Sequence, residues 1–171
     1  LGGSLLILLP NVPIRDSKIM LRAQLNDALK EAMKSKEKLA VSTLRLILAA
    51  VKDRDIAHRT QDADKEGISE EEILKLLQSM IKQRQDSIVA YNKGNRPELA
   101  ESEEKEIEII KTFLPKQMSD DEIEYAVRDA ISSSGASSIK EMGQIMGILR
   151  GKYAGRMDFG RASALVKEKL S

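Results

Sequence analysis

Four cationic residues near the C-terminus are close enough in sequence to bind one ligand. They fall within twelve residues, in which Asp158 is the one acidic residue: Arg150, Lys152, Arg156 and Arg161. A turn predicted from Gly151 to Gly155 lies among them, with Tyr153 at its centre. Cations on a glycine-rich turn beside a helix start suit phosphate groups, and a tyrosine ring suits stacking on a base or ribose. This basic segment, residues 150–161, therefore predicts a phosphate-bearing ligand; a solvated basic loop that balances an acidic helix is the alternative.

Two other features suit the same ligand but also have ordinary structural explanations. Gly143 and Gly147 are four residues apart on a predicted helix, where missing side chains allow a second helix or a phosphate backbone to come close. Met142 and Met146 beside them indicate a packed face and favour helix packing. Lys116 lies between two predicted helices, where RNA contact and ordinary linker chemistry fit equally well.

The sequence offers no group of residues suited to catalysis or metal binding. It has no Cys and one His, His58, which excludes disulfide scaffolds, thiol catalysis and most His-based chemistry. Four glutamates between positions 103 and 108 are scattered around a helix, which favours a solvated acidic face over a magnesium site. Walker loops, GxGxxG fingerprints and nucleophile elbows are absent from the sequence. We predict no catalytic residue, no metal and no cofactor.

Helical periodicity accounts for most of the chain that must position these residues. The 171 residues are 42% hydrophobic, 32% charged and only 3% aromatic, a composition typical of helical proteins. Apolar residues recur at helical spacing in seven segments, and capping boxes precede three of them. The last two boxes begin at Ser119 and Ser138, and the helix after Ser138 is predicted to bury Ile139. The predicted fold class is all-α, with seven helices.

The junction of Pro115 and Lys116 is the best candidate for a domain boundary. It follows an acidic helix and precedes three short helices. We predict a four-helix N-terminal domain over residues 20–115 and a three-helix tail domain over residues 116–171. Residues 147–171 hold four more basic than acidic residues, although the net charge of the whole chain is only +1. Any nucleic-acid binding must therefore depend on local charge.

The first nineteen residues differ in character from the rest. Their apolar run, residues 5–9, is far shorter than the roughly 20 residues that span a bilayer. Pro10 and Pro13 break any helix there, and neither the basic region nor the cleavage site of a secretory signal is present. We expect residues 1–19 to be a disordered leader or expression-derived extension, with Met20 as the functional start; a docking strand or partner-binding tail is the alternative. A cytoplasmic location is predicted from the missing signal and membrane span.

Four ordered segments carry distinctive motifs. They read STLRLILAAVK at residues 42–52, YNKGNRPELAE at residues 91–101, FLPKQMS at residues 113–119, and GASSIKEMG followed by MG within residues 135–147. Together they resemble the GatB/YqeY family, over about residues 20–171. The resemblance implies an all-helical protein with a four-helix N-terminal part and a three-helix tail. A similar tail ends the B subunit of glutamine-dependent tRNA amidotransferases, where it contacts tRNA while the catalytic chemistry lies in domains that this chain lacks.

The resemblance implies a tRNA-binding or amidotransferase-associated module that is not an enzyme on its own. On this hypothesis two groups of residues form the RNA site. The contacts are Arg150, Lys152, Tyr153, Arg156, Arg161 and Lys116, and the close-approach glycines are Gly143, Gly147, Gly151 and Gly155. A helical protein–protein adaptor, with an acidic surface on the third and fourth helices, is the alternative. A self-standing amide-forming enzyme fits least, and no membrane or DNA partner is expected.

Overall fold

The computed structural model of the chain describes residues 20–61 and 67–171. Within these ranges the fold contains seven α-helices and no strand, which confirms the all-α prediction. The helices are α1 Met20–Lys34, α2 Lys38–Gln61, α3 Glu70–Lys93, α4 Pro97–Lys111, α5 Asp120–Ser134, α6 Met142–Tyr153 and α7 Phe159–Leu170. No helix of the described ranges is long and apolar enough to cross a membrane. The predictions made for residues 1–19 lie outside the described residues.

The described residues form two compact units. The first ends at Glu70 and contains α1 and α2, whereas the second runs from Glu71 to Ser171 and contains α3 to α7. This division differs from the predicted boundary at residue 115. Within the second unit, two side chains of α3, Leu74 and Gln78, contact residues of the tail. The separate folding of residues 116–171 stays a prediction.

In the first unit, α1 packs against α2. The buried face of α1 follows the predicted helical spacing, with Leu21 and Leu25 one turn apart and almost wholly inaccessible to solvent. On α2, Leu44, Ile47 and Val51 recur at three- and four-residue intervals and are equally buried. The two apolar stripes explain why these segments form a helical hairpin.

A charged cluster in the first unit fixes the chain just before α3. The Asp55 carboxylate accepts hydrogen bonds from Arg22 Nη1 at 2.7 Å, from Arg22 Nη2 at 3.0 Å and from the Ile68 backbone N–H at 2.9 Å. The hydrogen bonds from Arg22, followed by the Ile68 N–H, lower the pKa of Asp55. Gly67 has φ of +129°, and a Cβ there would lie 2.7 Å from Asp55 Oδ1. We call Arg22, Asp55, Gly67 and Ile68 the Asp55 cluster.

The last three helices of the second unit pack pairwise around a core of their own. Its largest fully buried members come from all three helices and the turn before α7: Val127, Ile145, Leu149, Met157 and Val166. The start of α5 has the predicted capping box, because Ser119 Oγ accepts the Glu122 N–H and Glu122 Oε2 accepts the Ser119 N–H.

The predicted capping box from Ser138 to Glu141 is present, but it begins a 3₁₀ turn and not α6 itself. A 3₁₀ turn, Ile139–Glu141, precedes the helix, and the Glu141 carboxylate accepts the N–H groups of Ser137 and Ser138. These bonds lower the pKa of Glu141. Ile139 is 44% exposed, so the prediction that it is buried is wrong. A 3₁₀ turn has three residues per turn, and Ile139 is therefore out of register with the buried face of α6.

A neutral cluster in the second unit joins α3, the junction after α4 and the turn before α7. Gln117 Nε2 donates to the Gly155 carbonyl at 2.7 Å, and Gln78 Nε2 donates to Gln117 Oε1 at 3.0 Å. Gly155 has φ of +74°, and a Cβ there would lie 2.8 Å from Leu74 Cδ1. We call Gln78, Gln117, Gly155 and Leu74 the Gln117 cluster.

Candidate RNA-binding surface

The basic segment contains the end of α6, a turn and the start of α7. Because α6 extends to Tyr153, the predicted turn from Gly151 is wrong, and Arg150 and Lys152 occupy the last turn of a helix. The helix continues past Gly151, although that residue faces solvent, because Leu149 and Tyr153 keep the apolar spacing against the tail core. The true turn spans residues 154–158, between α6 and α7.

Three glycines form one face of α6. Gly143, Gly147 and Gly151 follow one another at four-residue steps, and no neighbouring atom lies within 4 Å of where a Cβ would be at any of them. Successive members are rotated by roughly 40°, and Arg150 lies within about 20° of Gly143 around the helix axis. Ile145 and Leu149, which are buried, lie on the other side. The described part of the chain therefore offers no helix that packs on these glycines, and we call them the α6 outer face.

Arg150 and Lys152 do not share a side of α6. Two residues apart on a helix means roughly 200° of rotation, so the two side chains leave opposite flanks of α6. Both are exposed, and within residues 20–61 and 67–171 neither makes an ion pair. They are the uncompensated cations of the basic segment.

Arg156 brings the junction residue Lys116 to the basic segment. The Met118 N–H donates to the Arg156 carbonyl at 2.9 Å, and Arg156 Nε donates to the Lys116 carbonyl at 3.4 Å. Lys116 was predicted to share an RNA site with the basic segment, although the two lie about forty residues apart in sequence. The hydrogen bonds to and from Arg156 explain how these two segments come together.

Acidic groups at the start of α5 offset part of this charge. Asp120 Oδ1 lies 3.6 Å from Arg161 Nε. The pKa of Glu122 is lowered mainly by the Ser119 N–H and further by the charges of Lys116 and Arg156. Arg156, Arg161 and Lys116 therefore present a weaker positive potential than Arg150 and Lys152.

Three residues of the basic segment have structural roles. Asp158 caps α7, accepting the Arg161 N–H at 3.0 Å, which explains the acidic residue in a basic run. Tyr153 is half-buried against the tail core. At Gly155 the space left by the missing side chain is filled by Leu74.

Sequence reasoning missed the most exposed aromatic ring. Tyr125 is 73% exposed on α5, and it lies between Ile123 and Val127 of the buried face without belonging to it. Its departure from the apolar spacing is the signal that identifies it as a surface residue.

A structural ion pair joins the acidic helix α4 to α3. Glu106 accepts from Arg84 Nε at 2.9 Å, and both side chains are largely buried. Partial burial raises the pKa of Glu103.

Among the described residues, no group of three or more His, Asp or Glu side chains is arranged to hold a metal ion. His58 is half-buried near the end of α2.

Comparison with known proteins identifies the family. The sequence profile of the family described as Yqey-like protein matches residues 22–170. The chain belongs to this YqeY-like family. The match agrees with the resemblance to the GatB/YqeY family and covers nearly all of the seven helices.

Curated relatives of this YqeY-like chain occur in yeasts. Several carry the name "Altered inheritance of mitochondria protein 41, mitochondrial". The one from Lachancea thermotolerans is 39% identical over 92 residues, which are 54% of this chain and 46% of the relative. The one from Vanderwaltozyma polyspora is 32% identical over 120 residues, 67% of this chain and 62% of the relative. A protein of Schizosaccharomyces pombe named as uncharacterized is 30% identical over 99 residues, 58% of this chain and 76% of the relative.

These relatives correct one prediction. The chain spans about half to three fifths of the length of the first two, and both are named as mitochondrial. The predicted cytoplasmic location of the YqeY-like chain is therefore wrong. It relied on the absence of a secretory signal and of a membrane span, and neither feature separates cytoplasmic from mitochondrial proteins.

Proposed function

We propose that this YqeY-like chain is a non-catalytic tRNA-binding module whose α6 outer face and basic segment contact the RNA backbone. The observation that carries the proposal is the open α6 outer face, with the uncompensated cation Arg150 beside it and the uncompensated Lys152 on the opposite flank of the same last turn. An exposed glycine is costly in a helix, because glycine is roughly 0.5–1 kcal/mol less favourable there than alanine. Three of them on one open face are explained if a large ligand approaches the helix backbone closely.

The chemistry of the surface favours RNA. Phosphate contacts fix a protein on nucleic acid, and they come mostly from Arg and Lys side chains and backbone N–H groups. The α6 outer face spans about 12 Å from Gly143 to Gly151, at about 1.5 Å per residue. Resemblance to the tail of the amidotransferase B subunit favours tRNA over other RNA, and association with such an enzyme is the second form of this proposal.

The test is a fluorescence-anisotropy titration of labelled tRNA at several salt concentrations. Arg150→Ala with Lys152→Ala should weaken binding and flatten the log–log salt slope by about 1.5, because each lost phosphate contact removes about 0.7–0.9 of slope. Arg156→Ala with Arg161→Ala should flatten it less, because Asp120 and Glu122 already offset those charges.

Two control variants separate RNA contact from general charge and from folding. Lys105→Ala with Lys111→Ala removes the same charge from α4, where each lysine pairs with a glutamate, and should leave the slope unchanged. Gly143→Gln with Gly147→Gln should favour the helix yet weaken tRNA binding at least about tenfold, because two side chains now cover the open face. Wild-type affinity in both the arginine–lysine and the glycine variants would exclude this surface and favour the protein–protein adaptor.

A further inference from the structure

A shallow groove lies on the first unit, where α1 turns into α2. Its volume is about 490 Å³, and the residues that line it are Met33, Lys36, Lys38, Val41, Ser42 and Arg45. Met33 is 52% exposed and Val41 half-buried, so the floor is apolar. The rim carries three exposed cations, and none of the three makes an ion pair with another described residue. An apolar floor inside a cationic rim fits an acidic amphipathic segment.

The exposed face of α2 continues the groove along the helix. Leu46 and Ile56 are 53% and 51% exposed, and Ala49 between them is also exposed. Three exposed cations, Lys38, Arg45 and Lys52, follow one another at seven-residue intervals along one flank. Seven residues are nearly two helical turns, so these cations form a row about 21 Å long beside the apolar side chains. A helix of three to four turns matches that length.

The turn between α1 and α2 contains an unusual residue. The Glu37 N–H donates to the Ala32 carbonyl at 3.0 Å and the Lys36 N–H to the Met33 carbonyl at 3.3 Å, the pattern of a Schellman turn. Lys36 has φ of +58°, a left-handed conformation that favours glycine or asparagine.

The turn after α3 has the same hydrogen bonds with a different residue. There the Arg96 N–H donates to the Tyr91 carbonyl at 2.9 Å, and Asn95 occupies the left-handed position with φ of +53°. One molecule therefore uses the favoured asparagine in one turn and a disfavoured lysine in the other. Strained residues of this kind concentrate at ligand sites, and this one lines the groove.

We propose that the groove and the exposed face of α2 bind an acidic amphipathic helix of a partner protein. Its apolar side chains contact Met33, Leu46 and Ile56, and its carboxylates pair with the row of cations and with Lys36. A flat bilayer does not fill a concave groove, and a nucleic acid leaves three large apolar side chains without a partner. The site lies in the first unit and does not depend on the proposed RNA surface.

The experiment uses the full chain and a fluorescent 18-residue peptide that is helical, with leucines on one face and glutamates seven residues apart on its flank. We expect this peptide to bind at least about tenfold more tightly than a scrambled peptide of the same composition. Leu46→Asp should weaken binding at least about tenfold, because an anchor that is buried on binding becomes charged. Val89→Asp is the matched control, since Val89 is 54% exposed on α3, and it should bind as wild type.

A second pair of variants tests the strained lysine. Lys36→Gly should raise the melting temperature by roughly 2–4 °C, because the left-handed strain is removed, and should weaken peptide binding several-fold. Asn95→Gly, at the equivalent position of the other turn, should change neither quantity appreciably. Gain of stability with loss of binding is a combination that a purely structural turn does not give.

Three results would overturn the proposal. One is equal affinity for the scrambled peptide, and another is unchanged peptide binding by Leu46→Asp and Lys36→Gly. The third uses vesicles of phosphatidylglycerol and phosphatidylcholine in place of the peptide. Vesicle binding as tight as peptide binding, and abolished by the same variants, would assign the face to a membrane.

Discussion

The Asp55 cluster and the Gln117 cluster solve the same structural problem with different chemistry. Each fixes an irregular segment by bonding its backbone groups to side chains from distant parts of the chain, and each contains a glycine with positive φ that leaves room for a partner. In the first cluster the partner at Gly67 is a carboxylate held by Arg22. In the second, the partner at Gly155 is the aliphatic side chain of Leu74, beside two neutral amides.

Because of this difference, the two clusters should respond differently to acid and to added side-chain volume. The charged cluster gains strength from ionised hydrogen bonds, which are about twice as strong as neutral ones, but depends on the ionisation of Asp55. The neutral cluster has no titrating group and depends instead on close packing at Gly155. Acid should therefore weaken the first cluster, and added volume should weaken the second.

The largest effect is expected at the packed glycine. Gly155→Ala should lower the free energy of unfolding by about 2–4 kcal/mol, because the left-handed conformation disfavours alanine and its Cβ would lie 2.8 Å from Leu74 Cδ1. Gly135→Ala is the control, since Gly135 has a similar φ of +69° and open space around it. It should cost only about 1 kcal/mol. Equal costs in urea denaturation would mean that packing at Gly155 is unimportant.

The second-largest effect is expected at Asp55, where the cost of substitution in free energy of unfolding should depend on pH. At neutral pH, Asp55→Asn should lower the free energy of unfolding by about 1–2 kcal/mol, less than for a fully buried pair because the Arg22 side chain is 35% exposed. The pKa of Asp55 is lower in the folded than in the unfolded chain, so the ionised form contributes stability above about pH 4. That contribution is lost as the pH falls through the folded-state pKa. The difference in free energy of unfolding between wild type and Asp55→Asn should therefore shrink in acid.

Gln117→Met provides the comparison in the neutral cluster. It removes the amide that bonds to Gly155 and Gln78 while keeping a side chain of similar length. We expect Gln117→Met to lower the free energy of unfolding by about 1–2 kcal/mol, and by the same amount at pH 3.5 and pH 7, since no ionised group is lost. Denaturation curves of both variants at the two pH values measure the contrast. A pH-independent cost for Asp55→Asn would show that its carboxylate is not bonded as described.

The helices were predictable from sequence because each depends on local spacing. The buried stripes of α1 and α2 and the cap at Ser119 follow from residues within a few positions of one another. The error at Ile139 has the same origin: a 3₁₀ turn and an α-helix differ by less than one residue per turn, which apolar spacing does not resolve over three residues.

The site was less predictable because its geometry depends on distant residues. Nothing local in the sequence pairs Lys116 with Arg156 or Asp120 with Arg161, which are 40 and 41 positions apart. The basic residues themselves were identifiable by their type. That Arg150 and Lys152 leave opposite flanks of a helix depends on α6 continuing through Gly151, and glycine normally signals an end.

The smallest effect tests whether a buried polar group stabilises the fold only when it is hydrogen-bonded, as the polar groups of the two clusters are. Thr43 is fully buried on α2, and its hydroxyl has no hydrogen-bond partner among the residues that the structure describes. Thr43→Val keeps the shape and removes the buried polar atom, so it should raise the free energy of unfolding by about 0.5–1 kcal/mol. Thr112→Val is the comparison, because Thr112 Oγ1 donates to the Ile109 carbonyl at 2.7 Å, and it should lower stability by about 0.5 kcal/mol. The opposite signs reflect pairing together with burial, since Thr112 is exposed and Thr43 is fully buried. Loss of stability on Thr43→Val would mean that the hydroxyl is bonded after all, and the contrast between paired and unpaired polar groups would then rest on the two clusters.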